Sequence, residues 1–115
     1  MKKEITKLNF ENFIWLLFII LSILNINGNN FEKDYLKTKN NIYKTYSNDI
    51  YNLVIKESIL IYLYFFIRNY KEYEKSNTKE LYIIKLLGST LFLSGILCLY
   101  YFQNKQKKFI GSPGI

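Results

Sequence analysis

The chain of 115 residues contains no histidine, one cysteine and one arginine. Histidine is the commonest general base and the commonest transition-metal ligand, so its absence removes the usual centre of both chemistries. Cys98 has no second cysteine with which to form an intramolecular disulfide, and a lone thiol in apolar surroundings is usually inert. We therefore expect no cofactor and no metal site.

Catalytic motifs are also missing from the sequence. It has no glycine-rich phosphate loop, no Ser/His or Cys/His set and no convincing pair of carboxylates. We accordingly predict that the protein is not an enzyme, that it has no catalytic residues and that no small-molecule substrate is implied.

The net charge of +7 arises from sixteen basic residues spread along the flanks of apolar blocks. A nucleic-acid-binding protein would cluster its lysines and arginines on one surface, usually within a recognisable module. Basic flanks beside apolar segments are typical of membrane proteins, which place them next to anionic lipid. The pattern favours membrane lipid as a partner and argues against nucleic acid.

The most apolar segment is 81–102, LYIIKLLGSTLFLSGILCLYYF, whose single charge is Lys85. As a helix it reaches about 30 Å, the thickness of the hydrocarbon core of a bilayer. Asn77 and Glu80 resemble a capping box, which predicts a transmembrane helix over about 78–102. The alternative is the buried central helix of a small soluble bundle.

A second apolar run, 13–24, predicts helix 1 over about 10–26, with Gly28 as its C-terminal stop. This run is short for a membrane span. Three interpretations fit it: a first transmembrane helix, the apolar core of a signal peptide, or a helix lying in the membrane interface.

The next segment, 31–49, is polar but carries an apolar stripe at helical spacing. The stripe comprises Phe31, Tyr35, Ile42, Tyr46, Ile50 and Leu53. We predict an amphipathic segment between helices 1 and 2. It either lies on the membrane surface or runs directly into the next span, with its aromatic side packed on the neighbouring helices.

Helix 2 is predicted over about 50–73 and contains the uncharged run 58–67. Extending this run to a full span includes Lys56 and Glu57. A lysine at mid-membrane costs roughly 2.5–3.5 kcal/mol, whereas each leucine returns only about 0.3–0.6 kcal/mol, so both charges belong near one interface. A charged hairpin over 68–80 and a basic tail over 103–115 complete the chain. The fold class is thus a single all-α membrane domain, a small multi-pass protein with three transmembrane helices.

Ionisable or polar residues inside membrane segments mark candidate functional sites. The possible intramembrane polar site comprises Asn52, Lys56, Glu57 and Lys85. The ordinary alternative is that the charged side chains extend to the nearest interface.

Helix 3 carries a face of small residues about 160° wide. This helix-packing face comprises Gly88, Thr90, Ser94, Gly95 and Cys98. Small faces let membrane helices approach closely. The face predicts association, either as a homo-oligomer or with a partner membrane subunit; the alternative is packing against helices 1 and 2 of the same chain.

These features lead to three functional hypotheses. The first is a non-catalytic subunit or modulator of a membrane assembly that acts through helix–helix packing. The second is a self-assembling pore or permeabiliser, similar in size and layout to phage holins. The third is a soluble or membrane-surface helical partner protein. We expect a cell-membrane location. Both orientations place seven basic residues on the cytoplasmic side, and the short 68–80 hairpin favours a cytoplasmic N-terminus.

Overall fold

The computed structural model describes residues 1–114, which form three helices and no strand. The helices are α1 (Lys2–Thr38), α2 (Asn41–Lys75) and α3 (Lys79–Lys105). All three are long and apolar enough to cross a membrane. The predicted all-α fold class with three candidate spans is confirmed.

The helices are longer than the predicted spans. With 37, 35 and 27 residues, α1, α2 and α3 extend about 55, 52 and 40 Å, against roughly 30 Å for a hydrocarbon core. The predicted amphipathic segment 31–49 is not a separate element, because α1 continues to Thr38 and α2 begins at Asn41. The break at Lys39 and Asn40 divides the segment, so its first half belongs to α1 and only its second half runs directly into the rest of α2.

The predicted stop at Gly28 is wrong. α1 passes through Gly28 and ends ten residues later at Thr38. The next residue, Lys39, adopts a left-handed conformation (φ 60°, ψ 20°) and donates its N–H to the carbonyl of Tyr35. Two side chains support the reversal: Thr38 Oγ1 accepts the N–H of Asn40 at 3.2 Å, and Asn40 Oδ1 accepts the N–H of Ile42 at 3.1 Å. Glycine is the commonest residue at such a position, but here lysine occupies it.

The predicted capping box at Asn77 is also wrong. The N-cap of α3 is Thr78, and its side chain makes no capping hydrogen bond. Ser76 instead accepts the N–H of Thr78 at 2.9 Å, so a short serine turn precedes the helix.

Each helix has a seam of buried or half-buried residues spaced alternately by three and four positions. In α1 the seam is 11, 14, 18, 21, 25, 28, 32 and 35; in α2 it is 44, 47, 51, 54, 58, 61 and 65; in α3 it is 82, 86, 89, 93, 96, 100 and 103. This average spacing of 3.5 residues is that of helices packed as in a coiled coil.

The chain divides into two compact units. The first comprises Met1–Val54 with Ile110–Ser112, and the second comprises Ile55–Phe109 with Pro113 and Gly114. In the first unit, α1 and the start of α2 form an antiparallel hairpin. The ring of Phe31 lies 5.4 Å from that of Tyr46 and 6.4 Å from that of Tyr43.

In the second unit, the rest of α2 pairs antiparallel with α3. The rings of Tyr62 and Phe92 stack at 5.6 Å, and Asn69 donates a hydrogen bond to Ser89. Only 6% of the most apolar 18 residues of α3 are buried. This contradicts the alternative that 81–102 is the buried central helix of a soluble bundle.

Gly28→Ala tests the closest approach within the hairpin. An added Cβ would lie 2.7 Å from Cε1 of Tyr51, whose ring is fully buried and has no room to move aside. Gly88→Ala is the matched control, because a Cβ at Gly88 meets nothing within 4 Å. Both variants gain the same helix propensity, roughly 1 kcal/mol.

We therefore expect Gly28→Ala to unfold in detergent micelles with a free energy about 1–3 kcal/mol lower than that of Gly88→Ala, as measured by circular dichroism. Equal free energies for the two variants would contradict the close contact.

Candidate functional site

The predicted helix-packing face lies on the side of α3 opposite to its seam. Successive residues are rotated by 100° around the axis of α3, and on this basis the centre of the small-residue set lies about 180° around the helix from the centre of the seam. Thr90, Ser94, Gly95 and Cys98 are exposed and Gly88 is half-buried. A Cβ built on Gly88 or Gly95 meets no atom within 4 Å. The space immediately around these two glycines is therefore open within the described chain.

Gly95 also lines a shallow groove of about 210 Å³ in the second unit. The other lining residues are Tyr62, Leu91, Phe92, Ile96, Leu99 and Gly114. The stacked rings of Tyr62 and Phe92 form one side of the groove. Gly114, from the segment after α3, is a further lining residue. The groove is shallow and is lined mainly by apolar side chains.

The four residues of the predicted polar site do not form one cluster. Asn52 and Glu57 are half-buried on α2, and Lys56 is exposed. Lys85 lies on α3, and its ammonium group donates to Glu72 at 2.5 Å. Since Glu72 is fifteen residues beyond Glu57 on the same helix, the two positions lie about 22 Å apart.

A polar cluster that the sequence analysis missed lies in the hairpin, with Glu32, Ser47 and Tyr51 buried and Asn29 exposed at its edge. We call it the hairpin cluster: Asn29, Glu32, Lys44, Ser47 and Tyr51. Glu32 Oε1 accepts hydrogen bonds from Lys44 Nζ at 2.5 Å and from Ser47 Oγ at 3.0 Å. The hydroxyl of Tyr51 donates to the side-chain oxygen of Asn29.

The hairpin cluster is withdrawn from solvent. Only 4% of the Glu32 side chain and 11% of the Lys44 side chain are exposed. Glu32 occupies a seam position of α1, four residues after Gly28, and Lys44 begins the seam of α2. A search restricted to apolar residues passes over both positions, whereas continuing the 3.5-residue spacing through polar residues would have found them.

A second polar cluster lies where α2 and α3 meet the 76–78 turn. Glu72 binds Lys85 at 2.5 Å and Arg68 at 3.8 Å, and the guanidinium of Arg68 lies 4.9 Å from the ring centre of Phe65. Arg68 also donates to Asn69, which in turn donates to Ser89. These groups join α2 to α3 by charge pairing and hydrogen bonding.

Among residues 1–114, no group of three or more His, Cys, Asp or Glu side chains is placed to hold a metal ion. Comparisons of the chain with protein-family models, with curated proteins and with solved structures found no match. The argument for function therefore starts from the small-residue face and the two polar clusters.

Lys44→Met tests the hairpin cluster by leaving the buried carboxylate of Glu32 without its cation. Breaking a buried pair in this way costs about 3–5 kcal/mol, because an uncompensated charge stays behind. The matched control is Lys85→Met in the exposed pair with Glu72, whose side chains are 43% and 28% exposed. An exposed pair contributes at most about 1 kcal/mol.

The measurement is the free energy of unfolding of both variants in micelles, with hydrogen exchange to locate the loss. We expect faster exchange over 28–54 in Lys44→Met alone. Losses of equal size in the two variants would show that the buried pair does not hold the hairpin.

Proposed function

We propose that this chain is an integral membrane protein whose three helices each cross the bilayer. The support comes from its exposed apolar surface, which includes Trp15, Ile20, Leu91 and Phe92, each more than half exposed. Soluble proteins rarely expose apolar surface continuously along whole helices. In the hydrocarbon core of a bilayer, these side chains contact lipid and avoid the free-energy cost of exposing apolar surface to water.

The uncharged part of α1, between Glu11 and Glu32, is twenty residues long and matches the hydrocarbon thickness. Residues 32–38 then extend about 10 Å beyond that core. In the proposed orientation the N-terminus is cytoplasmic, the turn at Lys39 and Asn40 lies on the opposite side, and the 76–78 turn is cytoplasmic. The hairpin cluster lies close to the non-cytoplasmic interface.

We further propose that the protein is a non-catalytic subunit or modulator of a membrane assembly. The observation that carries this proposal is the small-residue face, which points away from the seam of α3. In lipid, apolar side chains have no hydrophobic reason to leave the hydrocarbon, so helix association depends on close van der Waals packing. Glycine and serine allow that close approach. The occupant is a helix of a second copy or of a partner subunit.

Gly95→Leu tests the face. A Cβ at position 95 meets no atom within 4 Å, and Gly95 lies off the seam of α3. We therefore expect the variant to keep the pairing of α2 with α3, while a helix that approaches the face is pushed away. We expect the complex extracted gently from host membranes to lose mass toward that of the 13.8 kDa chain.

Ile20→Phe, an added ring on the exposed side of α1, is the bulk control and should leave the native mass unchanged. A normal native mass for Gly95→Leu would count against the proposal. Recovery of the wild-type chain in the soluble fraction would favour the third hypothesis, a soluble or surface-bound helical partner.

The second candidate function is a self-assembling pore. Two buried polar atoms of α2, Oδ1 of Asn52 and Oγ of Ser58, find no hydrogen-bond partner among residues 1–114. Unpaired polar groups are costly in hydrocarbon. A water-filled lumen would reach the half-buried Asn52, whereas Ser58 is buried in the seam of α2. This observation favours a pore over a dry bundle for this stretch of α2.

Under the pore hypothesis, expression collapses the membrane potential. Glu57→Gln alters the conductance, because it removes a half-buried charge that lies five residues after Asn52, about 7 Å along the helix axis. The measurement is dye-reported membrane potential in expressing cells. Growth with an intact potential would eliminate the pore.

A further inference from the structure

One side of α3 carries a second apolar groove, close to the 76–78 turn. Its volume is about 250 Å³, and it is lined by Ile83, Ile84, Leu86, Leu87 and Thr90. The hydroxyl of Thr90 donates to the carbonyl of Leu86 at 2.9 Å, so this polar side chain is already bonded within the helix. The groove runs about 10 Å along the helix axis and ends before Ser94, Gly95 and Cys98 of the small-residue face. Its lining is suited to a hydrocarbon chain.

Two charged side chains lie at the end of this groove nearest the turn. Lys79 is one turn before Ile83, and Glu80 is one turn before Ile84, so both are in line with the groove. Both side chains are exposed. The ammonium of Lys79 lies 5.0 Å from the ring centre of Tyr73, and no carboxylate among residues 1–114 pairs with it. The carboxylate of Glu80 likewise has no cationic partner in the described part of the chain.

The next cation along the helix, Lys85, does not belong to this site. It lies about 160° around the helix from Ile83 and Leu87. Its ammonium pairs with Glu72 at 2.5 Å, and Arg68 lies 3.8 Å from the same carboxylate. The charges that are in line with the groove and lack an ionic partner among the described residues are therefore one positive and one negative, on adjacent residues.

We propose that this groove binds an acyl chain of a phospholipid whose headgroup carries a phosphate and a primary ammonium group, as in phosphatidylethanolamine. The ammonium of Lys79 pairs with the phosphate, and the carboxylate of Glu80 accepts hydrogen bonds from the lipid ammonium. The inference rests on the proposed membrane location, in which the 76–78 turn lies at the cytoplasmic interface. The groove leads from that level into the hydrocarbon, so a single lipid meets both parts of the site.

The pair of opposite charges distinguishes this lipid from two other phospholipids. Phosphatidylglycerol has no cation for Glu80 and brings a net negative charge beside it. Phosphatidylcholine has a quaternary ammonium, which lacks an N–H to donate to the carboxylate. An exposed charge pair is worth up to about fivefold in binding, which sets the size of the expected preference.

The test is native mass spectrometry of the full-length chain, extracted from membranes and delipidated in mild detergent. The three lipids are supplied at equal concentration with identical acyl chains. We expect the wild-type chain to retain phosphatidylethanolamine about fivefold more than either of the others. Glu80→Gln should remove this preference without lowering the retention of phosphatidylglycerol. Lys79→Gln should lower the retention of all three lipids, because each has a phosphate.

Two control variants match these changes. Lys108→Gln removes an exposed cation beyond the other end of α3 and should leave lipid retention unchanged. The groove itself is tested by Ile84→Ala, which removes part of its wall and should lower the retention of all three lipids about twofold or more. The side chain of Ile84 is 66% exposed, so the pairing of α2 with α3 does not depend on it. Leu91→Ala, at 65% exposure and outside this groove, is the matched control.

Equal retention of the three lipids by the wild-type chain would overturn the lipid site while the membrane location stands. The same loss in Lys108→Gln as in Lys79→Gln would also overturn it, because the effect would then be one of overall charge. Failure of the membrane location has a different signature, since the wild-type chain would then be recovered in the soluble fraction before any lipid is added.

Discussion

The approach of the Tyr51 ring to the backbone of Gly28 determines how α1 and α2 pair in the hairpin. Gly28 contributes no side chain at this level, so the ring of Tyr51 fills the space between the two helices, and a Cβ on residue 28 would overlap that ring. The hydroxyl of Tyr51 reaches Asn29, and one turn further Glu32 receives Lys44 and Ser47. One close contact therefore sets the register at which every polar partner of the hairpin cluster meets.

Buried polar groups at seam positions add specificity more than stability. A buried ion pair such as Glu32–Lys44 often contributes little net free energy, since desolvation offsets the attraction. If α2 moved by seven residues along α1, however, the carboxylate of Glu32 would be buried without Lys44, and the loss of folding free energy would be much larger. In both units polar side chains join the paired helices, as Asn69 and Ser89 do between α2 and α3. We infer that these groups select one register among the many that apolar seams alone would allow.

The sequence was sufficient to predict three long helices, because 81–102 and the uncharged part of α1 are recognisable from composition alone. It was insufficient for the helix ends. Lys39 holds the left-handed position that glycine usually occupies, beside local hydrogen bonds of Thr38 and Asn40, and Gly28 serves helix contact instead of termination. The small-residue face was identifiable from sequence. The hairpin cluster was not, because polar residues such as Glu32 and Ser47 interrupt the apolar pattern on which the prediction of buried faces relied.

The two sides of α3 differ in the kind of contact they are suited to make. Its seam holds Leu86, Leu93 and Ile96 and ends in Gln103, which is buried. The opposite side mixes the small residues with exposed leucines such as Leu87 and Leu91. The leucines suit contact with acyl chains, whereas small residues contribute to association only when another backbone comes close. Under the proposed function, α3 is therefore packed by its own chain on one side and by a second helix on the other.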